Sequence, residues 1–452
     1  MTKSNKAHDE LTLQLEQVKE RVAKVLEIAT SLGADGVEVA MTRQQGLSVG
    51  TRLGEVENVE FTNDGGLGLT VYQNGRKGSA STADLSESAL KQTIEAAINI
   101  AKYTSVDDCS GLADKEMLAK KEIDLDLYHP KVLSTEQAIE LARESEQSAL
   151  NFDKRITNSD GANVDSFAGF KVYGNSHGQL MGYPSTRHSL SCVVIAGEED
   201  GMERDYAYDV NRQFDLLKCG KLIGEEASQE VLSRLNPQKI STRKVPVLFR
   251  ADIANTIWGH FIAAISGGNL YRKSSFLLDA LDKKVFPDFL NISERPHIPR
   301  ALASSYFDSE GVATVDREII TEGNLQSYLL TSYSARKLGL TTTGNAGGIH
   351  NWLINTKNEQ EDFEGMLKLM GTGLLVTELM GQGVNIVNGD YSRGAAGFWV
   401  ENGKIAYPVS EITIAGNLEA MFKGIVAVGS DLDMRGSIRT GSILINEIQV
   451  AG

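Results

Sequence analysis

Apolar residues Leu11, Leu15, Val18, Val22, Val25, Leu26 and Ala29 recur at helical spacing, and Gly33 follows where a left-handed residue ends a helix. Residues 11–32 are therefore predicted to form an amphipathic helix. The period then changes. Val37-Glu38-Val39-Ala40-Met41 has strand character within 36–48, and residues 66–72 alternate before Asn74-Gly75, a two-residue hairpin signal, because both central positions of such a turn need positive φ. Helical spacing returns over 84–101. It returns again after Ser134, whose hydroxyl is placed to cap free amides, with Gln137 at the reciprocal position and Ala138, Leu141 and Ala142 as an apolar stripe. Strands are predicted through 156–195. The run Val71-Tyr72-Gln73-Asn74 is echoed by Val172-Tyr173-Gly174-Asn175, with Gly78 and Gly178 behind them, as two related hairpins or chance among glycine-rich strands would produce.

Residues 218–235 read as a further helix and 236–244 as a linker around Pro237, which puts a domain boundary near 240. Val245-Pro246-Val247-Leu248-Phe249 is a buried-type strand, and a helix follows from Ala251. The remainder, especially 304–328 and 371–452, is short strands broken by Gly, Asn and Asp. Regular strand–helix alternation is missing from it, so the predicted class is α+β rather than doubly wound. The expected layout is an N-terminal region 1–127 with helices on an antiparallel or mixed sheet, a central α+β segment 128–239, and a Gly-rich, β-dominated domain 240–452. A length of 452 residues suits two or three domains of about 100–200 residues each.

Charge narrows the function classes. With 45 Lys+Arg against 60 Asp+Glu the net charge is −15, and affinity for nucleic acid or anionic membrane comes from neutralising phosphate with cations, so neither is an expected partner. Glycine at 44 against 8 prolines points to turns that rely on positive φ. Cys109, Cys192 and Cys219 are odd in number and widely spaced, which fits a reducing compartment and no disulfide framework. The polar N-terminus lacks the apolar core of a secretory signal, and the most apolar window, 253–265, is interrupted by Asn255, Gly259 and His260. A cytoplasmic location is expected.

Several chemistries are absent. There is no G-x-x-x-x-G-K-[ST] loop, no complete dinucleotide fingerprint, no G-x-S-x-G elbow and no C-x-x-C pair. The informative segment is Ala251-Asp252-Ile253-Ala254-Asn255-Thr256-Ile257-Trp258-Gly259-His260, followed by Ser266-Gly267-Gly268-Asn269. Together with Gly65-Gly66-Leu67-Gly68, Phe307-Asp308-Ser309-Glu310-Gly311-Val312 and Gly389-Asp390-Tyr391-Ser392-Arg393-Gly394-Ala395-Ala396-Gly397-Phe398, it resembles the TldD/PmbA family, once labelled modulators of DNA gyrase, and most closely its PmbA (TldE) branch.

The resemblance implies that TldD-type members carry His-Glu-x-x-x-His on this helix and complete a zinc site with a Cys from the C-terminal region. There the metal lowers the pKa of its water to about 7 and the Glu takes the proton. In this chain Asn255 stands at the first His, Thr256 at the Glu and His260 at the second His, and no cysteine follows Cys219. The expectation is a chain with no catalytic residues and no zinc of its own. It would pair as a heterodimer with a TldD-like subunit that holds the zinc, with a homodimer open in isolation. The implied substrates are unfolded peptides, in peptide-antibiotic maturation and antitoxin degradation. Rival readings are an autonomous peptidase with an unrecognised site, or a non-proteolytic regulator that binds a protein such as gyrase. Gly344-Asn345-Ala346-Gly347-Gly348 reads either as a place where a peptide backbone approaches closely, with Gly344, Asn345, Gly347 and Gly348 as substrate contacts, or as a flexible loop. His297 and His350 read as loop polarity, a metal site joining them to His260 having no spacing to support it. The acidic run Glu198-Glu199-Asp200 with Glu203 and Asp205, and the pair Arg272-Lys273, read as solvated or ion-paired surface.

Overall fold

The computed structural model describes residues 3–198, 201–358 and 360–452, with backbone alone for 3–9. The first half contains helix α1 (Lys3–Ser31), strands β1 (Gly36–Arg52), β2 (Glu55–Gln73) and β3 (Arg76–Thr82), and helices α2 (Glu87–Tyr103) and α3 (Thr135–Leu150). Strands β4 (Ile156–Asn175), β5 (Leu180–Ala196) and β6 (Glu203–Asn211) follow, then helix α4 (Gly220–Ser233). The six strands form one sheet in the order β3-β2-β1-β4-β5-β6, antiparallel throughout. Segments 1–127 and 128–239 thus contribute three strands each to the same sheet, joined where β1 pairs with β4.

All four helices lie on one face. Leu11, Leu15, Val18, Val22, Val25 and Ala29 of α1 pack with Leu90, Ile94 and Ala97 of α2 onto Val37, Val39 and Met41 of β1 and Leu67, Leu69 and Val71 of β2. Further along the same strands Leu47 and Val49 meet Ala138, Ala142 and Ala149 of α3 and Ile223, Ala227 and Val231 of α4. Each Val, Leu, Ile or Met side chain so buried stabilises by roughly 1.5–3 kcal/mol, and the alanines by less. The capping box foreseen at Ser134 and Gln137 is formed, and Asn74-Gly75 turns the chain with φ of 50° and 69°.

Two strands run much longer than the sequence pattern predicts. β1 continues to Arg52, and β2 begins at Glu55 rather than Gly66. Residues 55–65 lie beyond the end of β3 and pair only with β1, so almost all of them are exposed and no alternation marks them as strand. The turn between β1 and β2 is Leu53-Gly54, with φ of 51° and 79°. Glu146 of α3, fully buried, accepts the Leu53 and Gly54 amides at 2.6 and 2.8 Å.

The second half begins with strand β7 (Arg243–Phe249), helices α5 (Ala251–Ala264) and α6 (Gly267–Tyr271), strands β8 (Leu290–Glu294), β9 (Arg317–Thr321) and β10 (Asn324–Leu325), and helix α7 (Ser332–Leu338). It continues with β11 (Trp352–Thr356), α8 (Phe363–Met370), β12 (Gly373–Met380), β13 (Asp390–Glu401), β14 (Lys404–Asn417), α9 (Leu418–Lys423), β15 (Ile425–Val428), β16 (Ile438–Arg439) and β17 (Ile443–Ala451). These strands make a five-stranded sheet, β10-β9-β8-β11-β16, and a six-stranded one, β14-β13-β12-β7-β17-β15, which share a core around α5. The molecule is α+β. Among the described residues no helix is long and apolar enough to cross a membrane.

Candidate functional site

Helix α5 is held by its apolar side. Ala254, Ile257, Trp258, Phe261 and Ala264 are fully buried, the Phe261 ring meets Phe286, Trp352 and Phe422, and Trp258 Nε1 donates to Thr440 Oγ1 at 2.9 Å. The opposite side carries Asn255, Thr256 and Gly259. Asn255 is exposed, Thr256 returns its hydroxyl to the Ile253 carbonyl at 2.8 Å, and a methyl group at Gly259 would meet nothing within 4 Å.

His260 is half-buried, with its ring edge-on to Tyr391 at 5.8 Å, and its Nε2 has no hydrogen-bond partner among the described residues. Burial, reinforced by the Arg393 guanidinium, pushes its pKa down to about 4, so the imidazole is neutral at pH 7. Zinc does not fit here. The neighbours of His260 are a phenol and a cation, and among the described residues no three His, Cys, Asp or Glu side chains come together. The cysteines are remote and free, and burial pushes the Cys192 thiol up to about 12.

The other two histidines weighed as ligands, His297 and His350, are bonded elsewhere. His297 Nε2 is 3.1 Å from Thr314 Oγ1, and the His350 amide donates to Glu294 at 2.7 Å. Of the acidic run, Glu199 and Asp200 lie outside the described residues, while Glu203 and Asp205 pair with Arg234, which also reaches Glu378. Arg272 stacks its guanidinium on Tyr271.

A cavity of about 710 Å³ opens between the uncovered face of the first sheet and loops of the second half. Strands β4 and β5 supply Phe167, Gly169, Lys171, Tyr183, Ser185 and Arg187 to its floor; the far wall includes Ser304, Phe307, Asp308 and Ala346, Gly347, Ile349 and His350. Of the four positions expected to contact substrate, Gly347 lines the cavity, while Gly344, Asn345 and Gly348 are not part of its wall. Asp308 Oδ2 accepts the Ala346 amide at 2.9 Å while Oδ1 accepts those of Glu310 and Val312, also at 2.9 Å. Burial pushes the Asp308 carboxyl up to about 6 despite these three donors. Asn345 is buried and gives its side-chain amide to Glu294 at 3.0 Å. Gly344 is buried too, whereas Gly347 and Gly348 reach the surface with φ of 98° and 123°, values that a side chain would strain.

Sequence reading missed the floor. Lys171 Nζ donates to Ser305 Oγ at 3.0 Å and sits over the Tyr183 and Phe307 rings at 4.9 and 4.5 Å. Arg212, nearly buried, spends its guanidinium on the carbonyls of Thr186, Ala301 and Leu302. The alternation of Lys171 with buried Phe170 and Val172 was visible in the sequence; what the open face confronts was not.

Comparison with known proteins agrees with this architecture. Family models described as PmbA/TldA metallopeptidase domain 1, central domain and C-terminal domain match residues 37–101, 128–235 and 242–452. The chain is 58% identical to a "Metalloprotease PmbA homolog" of Haemophilus influenzae across 98% of each chain, and 55% identical to the "Metalloprotease PmbA" of Escherichia coli O157:H7 across all of both. A Bacteroides thetaiotaomicron protein described as a modulator of DNA gyrase has the same fold, with a TM-score of 0.91 at 30% identity over 96% of this chain and 98% of that one. With its motifs, its fold and these full-length relatives in agreement, the chain belongs to the PmbA/TldD metallopeptidase family.

Proposed function

We propose that this chain is the non-catalytic subunit of a cytoplasmic two-chain zinc peptidase, pairing with a TldD-like chain that supplies the metal, the general base and the thiolate, and acting on unfolded peptides. The observation that carries this reading is the surface of α5. Its buried side is complete, while Asn255, Thr256 and His260 provide one neutral imidazole where a peptidase needs three ligands and a base. The free edge of β2 gives further support. Between Glu55 and Gly65 it pairs on one side only, leaving backbone N–H and C=O groups available to an extended segment of any sequence.

The test is reconstitution. Mixed with its TldD-like counterpart, the chain should yield chelator-sensitive cleavage of an unstructured peptide that neither protein shows alone, and His260→Ala should leave that activity within about twofold, since each tenfold loss corresponds to only about 1.4 kcal/mol of transition-state stabilisation. Metal analysis of the isolated chain should find no stoichiometric zinc. Equal cleavage by the counterpart alone, or loss of turnover in His260→Ala with assembly intact, overturns the reading.

A further inference from the structure

The floor of the cavity gathers charge of the wrong sign for this protein. The chain as a whole carries −15, yet Lys171, Arg187 and Arg212, with Arg43 of β1, line one concave surface and none has a carboxylate within ion-pair distance among the described residues. Arg43 donates to Asn63 Oδ1 at 2.9 Å. Their positions follow from register. Lys171 and Arg187 lie on adjacent strands of the uncovered face, where Lys171 pairs with Tyr183 and Phe167 with Arg187, and Arg212 directly follows the end of β6.

Each cation is held differently. Lys171 is fixed by two aromatic rings and the Ser305 hydroxyl. Arg212 is satisfied by carbonyl oxygens, which orient its charge without neutralising it. Arg187 is exposed and its side chain makes no hydrogen bond or ion pair among the described residues, and its charge acts against that of Arg212. Two acids also line the cavity. Asp308 has both oxygens bonded to backbone amides, which take three of its roughly four acceptor sites. Asp64 comes from β2, across the sheet from β5. An unneutralised cluster in a concave, partly dehydrated site concentrates positive potential, and a planar guanidinium with free donors matches a carboxylate in two-point geometry.

We propose that this cavity binds a carboxylate of an extended peptide, with Arg187 making the direct contact and Lys171 and Arg212 holding the field. The inference rests on the reading of the chain as a peptide-handling subunit, and it names what that subunit recognises: the α-carboxylate at a peptide's C-terminus or the side chain of Asp or Glu. Phe167, Tyr183 and Phe307 offer apolar walls to the neighbouring residues. The positive φ of Gly347 brings backbone rather than side chain to the surface opposite.

Direct binding by the full protein, without the counterpart, separates this inference from the reading it rests on. Two unstructured peptides that lack Asp and Glu, one a free acid and one a C-terminal amide, are titrated calorimetrically, with an amidated pair carrying one internal Glu or Gln as the second arm. A hydrogen-bonded charge pair predicts at least about tenfold tighter binding for the carboxylate member of one pair. In Arg187→Gln that preference should fall to about twofold or less, with thermal unfolding unchanged because the Arg187 side chain is exposed and makes no hydrogen bond or ion pair among the described residues. The arm that discriminates identifies the source of the carboxylate. Equal binding within both pairs, a preference that survives Arg187→Gln, or no measurable binding of any peptide overturns the inference. Peptidase activity on mixing the two proteins reports separately on the supporting-subunit reading.

Discussion

Asp308 shows how one side chain sets the geometry of a cavity wall. Its carboxyl ties three backbone amides from two loops, and burial raises its pKa from 3.8 to about 6. A carboxyl raised in the folded state contributes stability that is complete below its unfolded pKa and is lost as pH rises through the folded one. The advantage of the wild type over Asp308→Asn should therefore be greatest near pH 4 and shrink by on the order of 2–3 kcal/mol by pH 7, which chemical unfolding at the two pH values measures. The motif around Asp308 was legible from Phe307 to Val312, but its task was not, because the Ala346 amide it holds is contributed by a distant loop. His260 is the opposite case. Asn255 and Thr256 stand beside it on the same helix, so the comparison with the His-Glu-x-x-x-His motif needs only neighbouring residues.

At the level of elements, local signals that obey a rule were read correctly and those that break one were not. The Ser134 cap, the Asn74-Gly75 turn and the stripe of α1 follow ordinary preferences and stand where the pattern placed them. The Leu53-Gly54 turn does not, because a leucine at positive φ is unfavourable and its compensation, the buried Glu146 carboxylate, lies on another helix. The strand behind that turn was hidden for the same kind of reason, its exposed residues having no buried face to alternate against. Two consequences can be measured in thermal unfolding. Leu53→Asn, at an exposed side chain, should stabilise by roughly 0.5–1 kcal/mol by giving the turn its preferred residue. Glu146→Ala should destabilise by roughly 2–4 kcal/mol, because two amides lose a charged acceptor.

On the scale of the whole molecule, the first sheet and the second half are fastened at named points. Arg234 bridges Glu203 and Asp205 of β6 to Glu378 of β12; Arg336 of α7 reaches Asp114 and the carbonyls of Cys109, Gly111 and Leu112. The uncovered sheet face meets the second half through the buried rings of Tyr173, Tyr306 and Phe307 with Met181, and at Glu38 it collects the hydroxyls of Tyr72 and Tyr173 at 2.8 and 2.9 Å. These are the two tyrosines of the repeated phrase in the sequence. They lie on the strands either side of β1 and converge on one carboxylate, an arrangement that no linear reading discloses.

The pairing of β1 with β4 also has a consequence in time. Gly50 meets Asn163, more than a hundred residues later. At about 5–20 residues per second of synthesis, β1 leaves the ribosome roughly 6 to 23 s before the strand that completes it. During that interval its second row of amides and carbonyls is open, as is the part of α1 that packs under Phe170 and Val172. A fragment ending at residue 127 would be frozen in that state, and circular dichroism and sedimentation of it should show aggregation or lack of fixed structure rather than a small folded domain. The newly made chain is thus committed to a wait, and whatever shields a bare strand edge in the cell would act on this protein before its second half exists.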